Sequence, residues 1–275
     1  MLRRFTYSAP SGVPLEESLA LAAAHEFGQV DFNADLPPNS FDCFGRRRAA
    51  GVRRLCERYG LRLGIHTLSA VNMAERNRIM CAAVDEYLAA NLRLAAALDC
   101  GWIIAHGGYH FSSDAPARRQ TAIDRMRRFA EQTGAAGAEV WFENHNKEPD
   151  VAEIHYMPRD AEELRAFFEA IPAEEHPHFR WAFNVAHANL VPEGVDGFLD
   201  AFGVARIAQV RVNDNRGEFE EHLTPGEGNI DFEAIFTRVE GLGYRGPYSL
   251  DFGGVRERLA FRERIAPLLR GESAS

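Results

Sequence analysis

The chain has 275 residues, 46% of them hydrophobic and 26% charged, enough to bury a sizeable core as one large α/β domain or two small ones. A net charge of −9 disfavours a generic binder of polyanions, and no apolar run approaches the length of a membrane span. The opening MLRRFTYSAPSG has no long apolar segment, and Cys43, Cys56, Cys81 and Cys100 form no CxxC, which points to reduced thiols and a cytoplasmic protein.

From the N-terminus, short apolar runs predict strands at 5–7, 30–32, 63–66, 102–106, 140–143, 181–184, 208–212 and 248–251. Helical patterns alternate with them, most clearly at 15–27, 46–59, 75–98, 115–133, 160–170, 232–242 and 255–269. Asp160 and Asp231 stand where N-caps belong, and Gly60 and Gly134 stand where helices close. Eight strands, each followed by a helix, predict a (β/α)8 barrel, with a doubly wound open sheet as the alternative. No linker, repeat or low-complexity stretch divides the chain, so residues 1–275 read as one domain.

In such a barrel, chemistry gathers at the C-terminal ends of the strands. Strand three ends with His66 and strand four with His106, followed by His110. Strand five ends with Glu143, Asn144 and His145, and strand six with Asn184 and His187. Strand seven ends with Arg211, Asn213 and Asp214, and strand eight with Asp251. One histidine near a strand end is usually a packed, hydrogen-bonded residue. Six consecutive strands with polar ends converge on one mouth and predict a polar pocket. Asp214, Glu218, Glu220, Glu221 and His222 add a ligand-rich loop after strand seven.

Other signals carry less. Asp251-Phe252-Gly253 spells DFG without the companion kinase motifs, and Gly226-Glu227-Gly228 reads as a turn. Gly253-Gly254 before VRERL could offer backbone N–H groups to an anion, although a plain turn is the simpler expectation. His25, His155, His176 and His178 are expected at the surface, and Arg46-Arg47-Arg48 on a solvated helix face.

The chain resembles the xylose-isomerase-like barrels, which include sugar-phosphate isomerases and epimerases and, more distantly, type IV apurinic endonucleases. The resemblance rests on GIHTLS, IIAHGGYH, VWFENHN, FNVAHANL and NDNRGEFEEHLTPGEGNIDF. It implies a metal site with Glu, Asp, His and Glu on strands five to eight, which fall here on Glu143, Asn184, Arg211 and Asp251. Only Glu143 is unchanged. Asn184 supplies a neutral amide, Arg211 has no lone pair to give, and Asp251 is shorter by one methylene. A divalent ion ~4 Å from the guanidinium would be repelled by a few kcal/mol at moderate effective dielectric. These departures argue against the usual Mn, Mg or Zn and suggest that Arg211 supplies the metal's charge, paired with Glu143 and Asp251. The nuclease relatives' further metal sets fall on His66, His106 and Glu143, and on His187, Glu220 and His222.

The leading expectation is an enzyme that moves a proton next to a carbonyl on a small polyhydroxylated or keto-acid substrate, namely a sugar, sugar phosphate or sugar acid. Glu143 is the first candidate for general base and Asp251 the second, with Arg211 as the electrophile. His66, His106, Asn184, His187, Asp214 and His222 would bind the substrate. A dehydratase or lyase would begin with the same proton abstraction. The alternatives are a metal-dependent phosphodiesterase acting on abasic DNA, disfavoured by the acidic chain, and a non-catalytic binder of a sugar acid. No membrane partner is expected, and assembly with further copies of the chain is left open.

Overall fold

The computed structural model describes residues 1–111 and 113–270. In chain order its strands are β1 Phe5–Ser8, β2 Gln29–Asn33, β3 Arg62–His66, β4 Trp102–Ala105, β5 Tyr109–Phe111, β6 Glu139–Glu143, β7 Ile154–Tyr156, β8 Phe179–Asn184, β9 Ile207–Val212 and β10 Tyr248–Leu250. The α-helices are α1 Leu15–Ala24, α2 Arg46–Tyr59, α3 Arg78–Leu98, α4 Ala115–Ala135, α5 Ala161–Ala170, α6 Val185–Ala188, α7 Gly194–Phe202, α8 Phe232–Gly241 and α9 Val255–Ile265. Eight parallel strands close in the order β1-β2-β3-β4-β6-β8-β9-β10, and β10 pairs back to β1. The (β/α)8 expectation is therefore met, and the open sheet is excluded. No helix among the described residues is long and apolar enough to cross a membrane.

Strands buried on both faces read as continuous apolar runs, which is why β4 was legible, while β9 shows apolar residues on its outer face and Gln209 and Arg211 on its inner one. Their outer faces join the main core beneath the helices. Inside the barrel, alternation puts large side chains at the bottom and polar ones above. Trp102 and Trp141 stack with ring centroids 4.3 Å apart. Gly64 makes room for them, because a Cβ there would come within 2.0 Å of the Trp102 indole. Further up, Thr6 donates to Gln29 (3.1 Å), Gln209 donates to Thr6 (3.2 Å), and Arg211 donates to Gln209 (2.9 Å). This ladder of buried polar groups leads to the C-terminal mouth.

Asp160 and Asp231 cap α5 and α8, accepting from the N–H groups of Glu163 and Ala234. Gly60 closes α2 in the left-handed conformation, but α4 runs through Gly134 and ends at Ala135. Three features went unpredicted, the first being the four-residue α6 directly after β8. Helix α7 is disguised by Gly194, Gly197 and Gly203, and Phe198 and Leu199 anchor it in the core. The antiparallel β5–β7 ribbon lies outside the barrel sheet. It buries His155 opposite His110, so His155 is not the surface residue that was expected.

Candidate functional site

Alternation along each strand turns the same-parity residues into the barrel: Asp31 on β2, His66 on β3, Glu143 on β6, Asn184 on β8, and Gln209 and Arg211 on β9. Pairing of β8 with β9 puts Asn184 beside Arg211, and pairing of β6 with β8 puts Glu143 beside Ala182. Asp251 follows β10 directly.

Arg211 is the centre of the arrangement and is 2% exposed. Its Nη2 donates to Asp251 Oδ2 (3.1 Å), and its Nη1 donates to Gln209 Oε1 (2.9 Å) and Asp31 Oδ2 (3.3 Å). Its Nε lies 3.1 Å from Glu143 Oε2. Three carboxylates thus surround one guanidinium. Their charges outweigh the effect of burial and raise the Arg211 pKa above its ordinary value.

Glu143 is equally committed. Oε2 also lies 3.1 Å from His66 Nε2, and Oε1 accepts from Asn184 Nδ2 (2.9 Å). Burial alone would push this carboxyl up, but Arg211, His106 and His66 hold it well below the usual range. At Asp251 burial is likewise outweighed by Arg211, His222 and His66, leaving the carboxyl lowered. Asp31 goes the other way, because burial prevails over Arg211 and His66 and the carboxyl is raised. Asn184 Oδ1 accepts from the backbone N–H groups of Ala186 and His187, capping α6.

A second knot sits beside the first. His187 Nδ1 donates to the Asn144 carbonyl (2.7 Å) and His222 Nδ1 to the Asp251 carbonyl (3.1 Å). Both Nε2 atoms lie 2.9 Å from Glu220 Oε1. The Glu220 hydrogen bond is the main cause that pushes His222 up to about 9. His145, named in the sequence but given no role, stacks on Tyr156 at 4.1 Å and sits 4.5 Å from His106. Burial, then His187, pushes it down to about 4.

The expected residues separate into layers. His66, Arg211 and Asp251 line a cavity of about 240 Å³, joined by Asp31, which sequence reasoning passed over. His106, Glu143 and His187 are 2–3% exposed and are not part of that lining, so the side chains at the strand ends do not all line one pocket as expected. Burial therefore ranks Asp251 ahead of Glu143 as the group a substrate can reach. Asp214 has a different task from the substrate binding expected of it. Its carboxylate accepts from the backbone N–H groups of Asn215, Gly226, Gly228 and Ile230, so it holds the loop together. Gly228 is required there, since a Cβ would come within 2.2 Å of the Asn215 carbonyl oxygen.

The four positions Glu143, Asn184, Arg211 and Asp251 do not fit a divalent ion. Arg211 brings a positive charge and no lone pair, and the Asn184 oxygen is already taken. His66, His106 and Glu143 keep one ligand atom each within 4.8 Å of one another and could hold one.

A family model described as xylose isomerase-like TIM barrel matches residues 19–268. The uncharacterized protein MJ1311 of Methanocaldococcus jannaschii is 23% identical over 227 residues, covering 79% of this chain and 73% of that protein. Among solved structures, a D-tagatose 3-epimerase-like protein superposes with a TM-score of 0.80 at 21% identity, over 97% of each chain. A family 2 AP endonuclease from Brucella melitensis gives 0.73 at 19% identity, over 97% of this chain and 99% of the other. At these identities the superpositions speak for the fold. The family match spans most of the chain, and the protein belongs to the xylose isomerase-like TIM barrel family.

Proposed function

We propose that the protein is a sugar isomerase- or epimerase-type enzyme, with residues 1–275 serving one site, that moves a proton next to the carbonyl of a small polyhydroxylated or keto-acid substrate. The observation that carries this reading is Arg211, whose guanidinium stands 3.1 Å from both Glu143 and Asp251 and which replaces one of the metal ligands that the family resemblance implies. Asp251, ionised at neutral pH and lining the cavity, takes the proton from the carbon beside the carbonyl. The electron pair moves onto the carbonyl oxygen, where Arg211 supplies the opposing charge. A guanidinium has five N–H groups, and one on Nη2 has no partner among the described residues. Return of the proton by Asp251 to the neighbouring carbon gives isomerisation, and epimerisation takes a proton from a second acid on the opposite face. Glu143 fixes Arg211 and His66 from the buried layer beneath the cavity. The names of the structural neighbours, epimerases among them, support this class of chemistry.

Asp251→Asn should reduce turnover by at least about a hundredfold, the ordinary contribution of a general base. Normal turnover in that variant would remove the assignment.

The second reading is a metal-dependent phosphodiesterase, favoured by His66, His106 and Glu143. A divalent ion held there would act as a Lewis acid on a phosphoryl oxygen. Cleavage of an abasic duplex that is restored by added zinc would support it; no cleavage would dismiss it.

A further inference from the structure

Arg258 lies in α9, close after the Gly253-Gly254 pair, and is 7% exposed. Its Nε donates to the Phe252 carbonyl (2.7 Å) and its Nη1 to the Ser8 carbonyl (2.5 Å). Its guanidinium carbon sits 5.1 Å from the centre of the Tyr7 ring. Among the described residues no carboxylate is within ion-pair distance of it, and its Nη2 has no hydrogen-bond partner. Buried cations are normally paired, because an uncompensated charge away from water is strongly disfavoured. Arg211 has three carboxylates and Arg125 has Asp85, while Arg258 and Arg262 have none among the described residues, and of these two only Arg258 lines the cavity.

The surroundings supply a place for a partner. Arg258 lines the same 240 Å³ cavity as Asp251, Arg211 and His66, and Ser11 contributes to its wall from an exposed turn. The volume lies below the several-hundred Å³ typical of drug-sized ligands and suits a small metabolite. The backbone N–H of Gly254 is turned to Glu257, and Arg258 Nη2 is an open side-chain donor of the wall that is not enclosed by carboxylates. Arg211, already enclosed by carboxylates, is a poor place for another full anion.

Resting on the proton-transfer reading, we infer that Arg258 is the anion-binding residue of this cavity. It receives a terminal phosphate or carboxylate of the substrate and so directs the carbonyl end toward Arg211 and Asp251. The substrate class is then an anionic sugar derivative rather than a neutral sugar.

The test is isothermal titration of the full chain with inorganic phosphate and, separately, with acetate, at ionic strength held constant with chloride. Saturable binding of at least one anion is expected, and the stronger arm tells phosphate from carboxylate. Arg258→Gln should weaken it about tenfold or more, the usual effect of losing a charged hydrogen bond. Because Arg258 also holds two backbone carbonyls, Ser11→Asp is the deciding variant. It adds a carboxylate to the cavity from an exposed turn and should abolish binding at an unchanged melting temperature. Absence of saturable binding, or binding that Ser11→Asp leaves intact, overturns the inference. A neutral ketose turned over with equal kcat/KM by the wild type and Ser11→Asp also overturns it, and leaves proton transfer at Asp251 standing. Anion binding that follows Arg258, combined with normal turnover in Asp251→Asn, does the reverse.

Discussion

A guanidinium buried inside a barrel persists only if its charge is met, and Arg211 meets three carboxylates and a glutamine. Arg211→Met would remove the shared counter-charge of Glu143, Asp31 and Asp251, leaving only His222 beside Asp251, and should cost about 3 kcal/mol or more at neutral pH, measured by urea unfolding. The sign of the pH dependence should also change. In the wild type the lowered pKa values of Glu143 and Asp251 contribute stability above the ordinary carboxylate range, which is lost as pH falls through it. Asp31, raised, opposes this in part. In Arg211→Met burial prevails at Glu143 and Asp31, which then bind protons more tightly folded than unfolded, so that variant should gain stability as pH falls from 7 toward about 5. The double variant Arg211→His with Asn184→Asp restores four ligand-capable side chains. It should bind a divalent ion in calorimetry where the wild type binds none at this position. Asp31 was invisible in the sequence because a single acid in the run VDFN looks like a strand exception. The partner that makes its burial tolerable lies 180 residues further on.

Among the elements, the loop between β9 and α8 is organised by Asp214. Its carboxylate accepts four backbone N–H groups, and its own backbone pairs with Leu223 in both directions at 2.9 Å. Asp214→Ala should cost about 2 kcal/mol or more, and amide exchange should quicken at Gly226, Gly228 and Ile230. Glu221→Ala, which removes an ion pair to the exposed Arg216, should change stability by less than about 1 kcal/mol. The sequence marked Asp214 as polar and close to the mouth, but it could not show that the carboxylate turns inward to its own loop. That depends on Gly226 and Gly228 bringing the backbone within reach. Glu220, His187 and His222 close the same loop over the mouth, joining residues from α6 and the loop in one contact. The caps of α5 and α8 were readable because an aspartate before an apolar period has one local meaning. Helix α7 was not, since its glycines oppose helix formation and only packing of Phe198 against Trp181 and Phe183 outweighs them.

At the scale of the molecule, the eight strands were legible because the face each turns to the helices must be apolar. The gathering of polar side chains at their ends was legible for the same reason, since each interrupts an apolar run at a fixed place. The division of those side chains into a cavity wall and a buried layer was not, because it depends on side-chain length and on the loops above. That division gives Asp251 the exposed position, Glu143 the supporting one, and Arg211 the place between them. This constellation is proposed to move a proton without a metal among Glu143, Asn184, Arg211 and Asp251. The most direct test is NMR detection of deuterium entering the carbon next to the carbonyl, in heavy water with excess chelator, across ketoses, their phosphates and the corresponding keto acids. The account predicts incorporation into at least one anionic substrate, undiminished by the chelator and abolished in Asp251→Asn. Incorporation that stops when the chelator is present and returns with a divalent metal would contradict it, as would a complete absence of exchange across the panel.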